Sequence, residues 1–314
     1  MAGWIREFDM DKRMRNMTEK NRSHTDIMET PPKKSEWRRI YRVFLSRGVV
    51  VFGMVVIFML IFTAILAPWI APYDPYQPDL NNVLQQPSRA HLLGTDALGR
   101  DTFSRIVYGT RTSLMIGLVA VGIAAFIGMS MGLIAGYFGG WIYAVIMRFI
   151  DAMMSFPLIL LALIIAALLG GGLRNVMIAL GIGLLPAYAR LMCGQVLSVK
   201  ENDYVLAGHA MGSGNLRIMF RHVVPNCFPP LIVLITMMMG LTILAEAGLS
   251  FLGIGIEPPG AAWGAMVSDG YQYLLTHPIL SFAPGLAIML VVFSFNMVGD
   301  GLRDALDPRL RGVL

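Results

Sequence analysis

Charged side chains are scarce in this 314-residue chain, so the few that cluster carry information. One such group lies in residues 91–101, HLLGTDALGRD. The carboxylates of Asp96 and Asp101 could hold a hard metal or share acid–base work, but no His/Cys cluster accompanies them. The glycines among Asp96, Arg100 and Asp101 instead suit a tight turn with a local ion pair, then a helix capped by Asp101 or Thr102. Glu246 is the one carboxylate inside a long apolar run. A charge there is expensive, so it marks either a substrate path or a structural ion pair, with Arg190 or a partner's arginine as counter-charge. The histidines His24, His91, His209, His222 and His277 are scattered, and none pairs at metal-ligand spacing. Cys193 and Cys227 are the only cysteines, which supports neither a disulfide framework nor a thiolate metal site. The run Met237, Met238, Met239 reads as flexible packing, because consecutive residues on a helix face different directions. No G-x-x-x-x-G-K-[ST] phosphate loop, nucleophile elbow or zincin motif occurs. Neither catalysis nor ATP binding by those devices is expected here.

The elements that must position these residues are read from hydropathy and charge. With 56% hydrophobic and 14% charged residues and a mean hydropathy of +0.63, the chain is too apolar for an ordinary soluble domain. The formal charge of +5 does not point to nucleic acid, because the basic residues follow membrane sidedness. Residues 1–47 hold twelve Lys/Arg and seven Asp/Glu with no apolar core, and read as a retained cytoplasmic tail, not a cleaved leader. Within it, residues 35–46 place Trp37, Ile40, Tyr41 and Phe44 opposite Arg38, Arg39 and Arg42, as suits a helix in the lipid headgroup region.

Residues 48–73 carry no charge and form the first span. Residues 74–110 are a periplasmic loop, and 111–302 hold a core of five more spans. Those spans are expected near 112–136, 152–170, 175–193, 227–253 and 279–298, with a turn at 137–151 and a second external loop at 257–278. Residues 303–314 form a second cytoplasmic tail. Gly128, Gly132 and Gly136 recur on one face and invite close approach of a neighbouring helix. Pro157 is expected to kink the third span. Trp69, Tyr73 and Tyr76, and Trp263, Tyr271 and Tyr273, suit an aromatic belt at the outer interface. Of the 25 Lys/Arg, only Arg89, Arg100, Arg105, Arg111 and Arg174 fall outside the segments assigned to the cytosol. That asymmetry favours an all-α membrane protein of six spans with both termini inside.

One polar island of the core, residues 194–226 (GQVLSVKENDYVLAGHAMGSGNLRIMFRHVVPN), lies between two spans. A first short helix is expected over 201–211, stopped by Gly212 in a left-handed conformation. A second runs from Asn215 to Pro225, where the missing N–H ends it. A helix–Gly–helix–Pro unit at the cytoplasmic end has the form of a docking element. Ala207, Gly212 and Pro225 are spaced as in the Glu-Ala-Ala…Gly…Ile-x-Leu-Pro loop of ABC importer permeases, which the island resembles. Leu206, Gly208, His222 and Val224 stand where that loop has Glu, the second Ala, Ile and Leu. Residues 222–226, HVVPN, are similar to the His-Ile-Leu-Pro-Asn variant of the dipeptide/oligopeptide branch. Residues 93–101, 246–253 and 299–308 resemble three further signatures of that branch, in the same order.

The resemblance implies a type I ABC importer permease fold with six transmembrane helices, in the cell inner membrane. It implies as partners a second related permease subunit, two ATP-binding subunits that carry the ATP and Mg, and a periplasmic or surface-anchored solute-binding protein. This chain then needs no cofactor of its own. The island becomes the ATPase-coupling loop, with Tyr204, Leu206, Ala207, Gly208, Gly212, His222 and Pro225 as its working residues and Leu206 as an apolar knob. The implied cargo is dipeptides or oligopeptides, with nickel, glutathione or another small solute as competitors. A proton-coupled secondary transporter with Glu246 as relay is the alternative from another class. It lacks a chain of buried titratable groups and an evident inverted repeat. A membrane hydrolase lacks a convergent site.

Overall fold

The computed structural model describes residues 44–45, 47–256 and 259–306. The expected headgroup helix at 35–46 therefore falls almost wholly outside the described residues, as do Pro258 and the last eight residues. Among the described residues the architecture is all-α, with one isolated β-bridge between Thr95 and Asp101. Five helices are long and apolar enough to cross a membrane, and a bent pair makes a sixth crossing if taken as one span.

The first crossing, α1, runs Gly48–Ile70 and is apolar on every side. Little of it is buried, as suits a helix at the lipid-facing edge of a bundle, and Gly53 marks where it touches the last helix. A Cβ there would lie 2.9 Å from the Ser294 carbonyl oxygen. Helix α2 extends over Thr102–Phe138, starting ten residues before the span expected from absence of charge. Absence of charge was the wrong criterion for its start. Arg105 is buried in the first turns because its guanidinium is met by neighbouring oxygens, so its charge does not keep the chain out of a helix.

The expected turn at 137–151 is instead helix α3, Gly140–Met154. A 93° bend at Ser155–Pro157 joins it to α4, Leu158–Leu169. The kink at Pro157 is thus present, and the whole unit is longer than the expected span. Helix α5, Leu173–Lys200, runs past the expected end at 193 and carries Pro186 within it. The short helices α6, Asp203–Ala210, and α7, Asn215–Ile218, form the polar island. A π-helical turn, Met219–Val223, leads into α8, Val224–Phe251. The external segment folds α9, Trp263–Tyr271, against α8 and α10, Ile279–Leu306.

The axis of the bundle is the α2–α5 pair. Cβ atoms added to Gly128 and Gly136 would stand 2.6 Å from the Leu185 carbonyl oxygen and 2.9 Å from the Val196 Cβ, and one on Gly132 would collide with the Ala189 carbonyl. The repeat read in the sequence therefore brings two backbones together. In lipid, where hydrophobicity does not favour one apolar neighbour over another, such close packing is what associates helices. Trp263, expected in an interfacial belt, is instead a core residue at 1% exposure, its Nε1 donating to the Ile106 carbonyl at 3.0 Å. An indole that finds a hydrogen-bond acceptor loses nothing by burial.

Candidate functional site

The polar island is a helical hairpin at one end of the bundle. Helix α6 ends at Ala210 with Met211 as its C-cap, and Gly212 follows with φ +75°, the left-handed stop expected of it. Gly208 on α6 faces α7: a Cβ there would sit 3.7 Å from Ile218. Val205, Ile218, Met219 and Val223 are buried together with Val196 and Val199 of α5, so the hairpin is packed onto the helices that carry it. Tyr137 at the end of α2 adds a polar tether, its hydroxyl 3.2 Å from Asn215 Oδ1. Opposite this buried side, Tyr204, Leu206, Met211, Leu216 and Phe220 are exposed. Ala207 and Pro225 are also exposed, and His222 is half-buried.

The second helix of the hairpin does not end at Pro225. It passes through the π turn into α8, so that Asn215–Phe251 is one continuous helical crossing. The reason lies in the hydrogen-bond register. In the π turn Val224 N–H reaches back to the Met219 carbonyl, and Pro225 then occupies the first turn of α8, where a missing N–H is tolerated. Asn226 Nδ2 adds a bond to the His222 carbonyl at 2.6 Å. The hairpin is thereby in rigid continuity with a membrane helix.

At the opposite end, residues 91–101 fold into a hydrogen-bonded cap. Asp101 is the N-cap of α2, its Oδ2 accepting from Ser104 N and Oγ, both at 2.8 Å, while Oδ1 lies 3.0 Å from His91 Nδ1. Asp96 accepts from the backbone N–H groups of Leu98 and Arg100 at 2.9 Å and from Arg100 Nε at 2.7 Å. Arg105 ties this turn to the rest of the outer surface through the carbonyls of Pro75, at 2.9 Å, and Gly260, at 3.4 Å. The turn and local ion pair read in the sequence are thus present, and the two carboxylates are occupied by neighbours in the fold. A crevice of about 240 Å³ beside the cap is lined by Arg100, Arg105, Thr102 and Asp269 of α9. Burial pushes the Asp269 carboxyl above its ordinary range, against the opposing pull of Arg105 and Arg100.

Glu246 is 1% exposed and its Oε1 accepts from Ser250 Oγ at 2.6 Å. Arg190 is not its counter-charge. That guanidinium pairs with Asp151 at the end of α3, Nη2 to Oδ1 at 2.5 Å. Ser250 is in turn crowded by the outer segment, since a Cβ on Gly264 would lie 3.0 Å from the Ser250 Cβ. The Asp151–Arg190 pair was missed in the sequence, although each residue interrupts an apolar run. Their separation of 39 positions hides the partnership until the bend after α3 is known.

A family model described as the inner membrane component of binding-protein-dependent transport systems matches residues 128–312. Another, described as the N-terminal TM domain of oligopeptide transport permease C, matches residues 35–87. The chain is 44% identical over 277 residues to the dipeptide transport system permease protein DppC of Alkalihalophilus pseudofirmus, covering 88% of this chain and 91% of that one. It is 42% identical over 279 residues to the glutathione transport system permease protein GsiD of Pectobacterium atrosepticum, covering 88% and 93% respectively. A solved structure of the MetNI methionine ABC transporter in an inward-facing conformation has the same fold. It aligns with TM-score 0.54 at 20% identity, over 65% of this chain and 97% of that one. This chain belongs to the family of inner-membrane components of binding-protein-dependent transport systems.

Proposed function

We propose that this chain is the permease subunit of an ATP-driven importer for short peptides, with the 194–226 hairpin as the element that couples it to separate ATP-hydrolysing subunits. The observation that carries the reading is the two-sided construction of that hairpin. One side is buried on α5, and the other presents Tyr204, Leu206, Met211, Leu216 and Phe220. A lone soluble end of a membrane bundle gains nothing by exposing five large apolar side chains together, whereas a partner cleft that desolvates them does. Because α7 continues into α8, a displacement of the hairpin by a partner is transmitted to a crossing helix as a rigid-body tilt. ATP-dependent closure of the partner subunits would then switch the path between its two openings.

The cargo follows from kinship: relatives at 44% and 42% identity carry dipeptide and glutathione in their names, and glutathione is itself a short peptide. A solute-binding protein would deliver it on the side of the 91–101 cap, and a second permease would complete the path. Both tails would lie in the cytosol. Glu246 has a structural part in this scheme. Buried within a single chain and bonded to Ser250 one turn on in the same helix, it braces the part of α8 against which the outer segment packs. The decisive experiment is reconstitution of the chain with its partner permease, ATPases and receptor in proteoliposomes. Uptake of a labelled dipeptide must depend on ATP inside the assay compartment that faces the hairpin. Uptake that persists without the ATPases, driven by a proton gradient, would replace this reading with the secondary-transporter one.

A further inference from the structure

The crevice beside the 91–101 cap holds more positive charge than its neighbours use. Arg100 and Arg105 are both buried, and their Nε atoms converge on one oxygen, Asp96 Oδ2, at 2.7 and 3.6 Å. The Nη atoms of Arg105 are taken by the Pro75 and Gly260 carbonyls. Those of Arg100 have no hydrogen-bond partner among the described residues, yet neither is fully buried, and Arg100 lines the crevice. Asp269 stands on the same wall but makes no ion pair with either guanidinium among the described residues. Two cations thus share one carboxylate at ion-pair distance. A buried guanidinium with an unused fork of donors is suited to a second carboxylate. Two features indicate what carries it. At about 240 Å³ the crevice falls below the roughly 300 Å³ at which small-molecule pockets begin, so it admits the end of a side chain and not a whole dipeptide. The neighbouring surface is apolar: Leu98 on the crevice wall is 41% exposed, Leu92 58% and Leu275 100%. Gln86 Nε2 donates to the Thr276 carbonyl at 3.1 Å, which joins the turn carrying Leu275 to the chain that leads into the cap. None of these leucines belongs to a crossing helix. A charged pocket beside exposed leucines has the composition of a protein contact with one buried anchor.

We propose that this crevice receives an acidic side chain of the solute-binding protein, with Arg100 as the anchor, a proposal that rests on the importer reading, which puts the receptor on the cap side. The free Nη groups of Arg100 donate to the incoming carboxylate while its Nε stays on Asp96. Arg105 remains on its two carbonyls and adds a second positive charge beside the site. Asp269 acts in the opposite sense, because its carboxylate and the incoming one are of like charge. The contact is therefore weaker than two arginines alone would make it.

The test uses the complete importer and its own receptor loaded with alanyl-phenylalanine, after ATP-dependent uptake has been established for the unaltered complex in proteoliposomes. Absence of that uptake would sink the importer reading itself, before any variant is made. Receptor affinity is then measured by capture on the immobilised importer. Arg100→Gln should weaken it about tenfold or more, the loss expected of a charge-assisted hydrogen bond. Asp269→Asn should strengthen it about threefold, because a like charge is removed. The opposite signs separate an anchor from a structural part, since a disturbed cap would weaken capture in both variants. Weakening in both, or unchanged capture by Arg100→Gln, would overturn the proposal. The thermal unfolding midpoint reports whether Arg100→Gln folds, and if it does not, the sign of Asp269→Asn decides. Alanine substitution of the receptor's aspartates and glutamates, one at a time, should find one whose loss costs nothing further against Arg100→Gln. If none couples in this way, the proposal falls. Binding of free alanyl-phenylalanine to the receptor-free importer, lost in Arg100→Gln, would instead assign the carboxylate to the cargo.

Discussion

At Gly212 the backbone turns with φ +75°, a conformation that costs a residue bearing a Cβ roughly 1–2 kcal/mol. Gly212→Val therefore strains the joint between α6 and α7 without touching any crossing helix. Membrane insertion should be normal while ATP hydrolysis is uncoupled from uptake. Unimpaired uptake in that variant would count against the hairpin as the coupling element. Asp101 works at the same scale on the opposite end, since one carboxylate caps α2 and holds both Ser104 and His91. Asp101→Ala removes the cap and orphans buried donors, at a cost of about 2 kcal/mol. Its thermal unfolding midpoint in detergent should fall clearly below that of Asp79→Ala, an exposed cap of a three-residue turn. Glu246→Gln keeps an oxygen for the Ser250 hydroxyl, whereas Glu246→Ala leaves that donor alone. If Glu246 has a structural part, the Gln variant transports as the native chain does. A loss of transport in Glu246→Gln would show that its ionised form matters.

At the scale of elements, the α2–α5 contact depends on three glycines whose absent side chains let backbone meet backbone. Gly132→Leu cannot be relieved by moving a flexible side chain, because the obstacle is the Ala189 carbonyl itself. Overpacking usually costs about 1–3 kcal/mol, and this site should exceed that range. The expected outcome is loss of monodisperse protein on size exclusion, while Gly194→Leu on open α5 surface behaves normally. The continuity of α7, the π turn and α8 belongs to the same scale. Pro225 occupies the first turn of α8, where a missing N–H is tolerated, whereas Pro229 and Pro230 lie inside the helix and each removes one intrahelical hydrogen bond.

For the whole molecule, the arrangement is a bundle with a fixed cap at one end and an exposed apolar hairpin at the other. The exposed apolar sides of α1 suit lipid, whereas the hairpin carries its exposed apolar side chains at the end of the bundle, where the proposed function gives them a protein partner. Leu206→Asp should weaken capture of the ATPase subunits by the permease in detergent, with no change in the permease's own thermal stability. Equal capture by Leu206→Asp and the native chain would place the contact elsewhere. An exposed leucine contributes little to the fold that carries it, which makes this separation of effects a clean measurement.

The sequence by itself determined the number and kind of crossings, the left-handed stop at Gly212, the capped turn at 91–101 and the glycine face of α2. Each of these is written in neighbouring residues, through hydropathy, backbone freedom or side-chain capping, and needs no distant partner. The tertiary structure alone decided what depends on distant contacts. The burial of Arg105 that lets α2 start early requires the carbonyls of Pro75 and Gly260. The burial of Trp263 requires the Ile106 carbonyl, and the pairing of Arg190 with Asp151 instead of Glu246 requires the bend between α3 and α4. Passage of the chain through Pro225 required a π turn, which shifts hydrogen bonds by one residue and leaves no mark in local propensity. In a bilayer apolar character is shared by lipid-facing and buried sides alike, so hydropathy finds the helices while only packing and hydrogen bonding say how they meet.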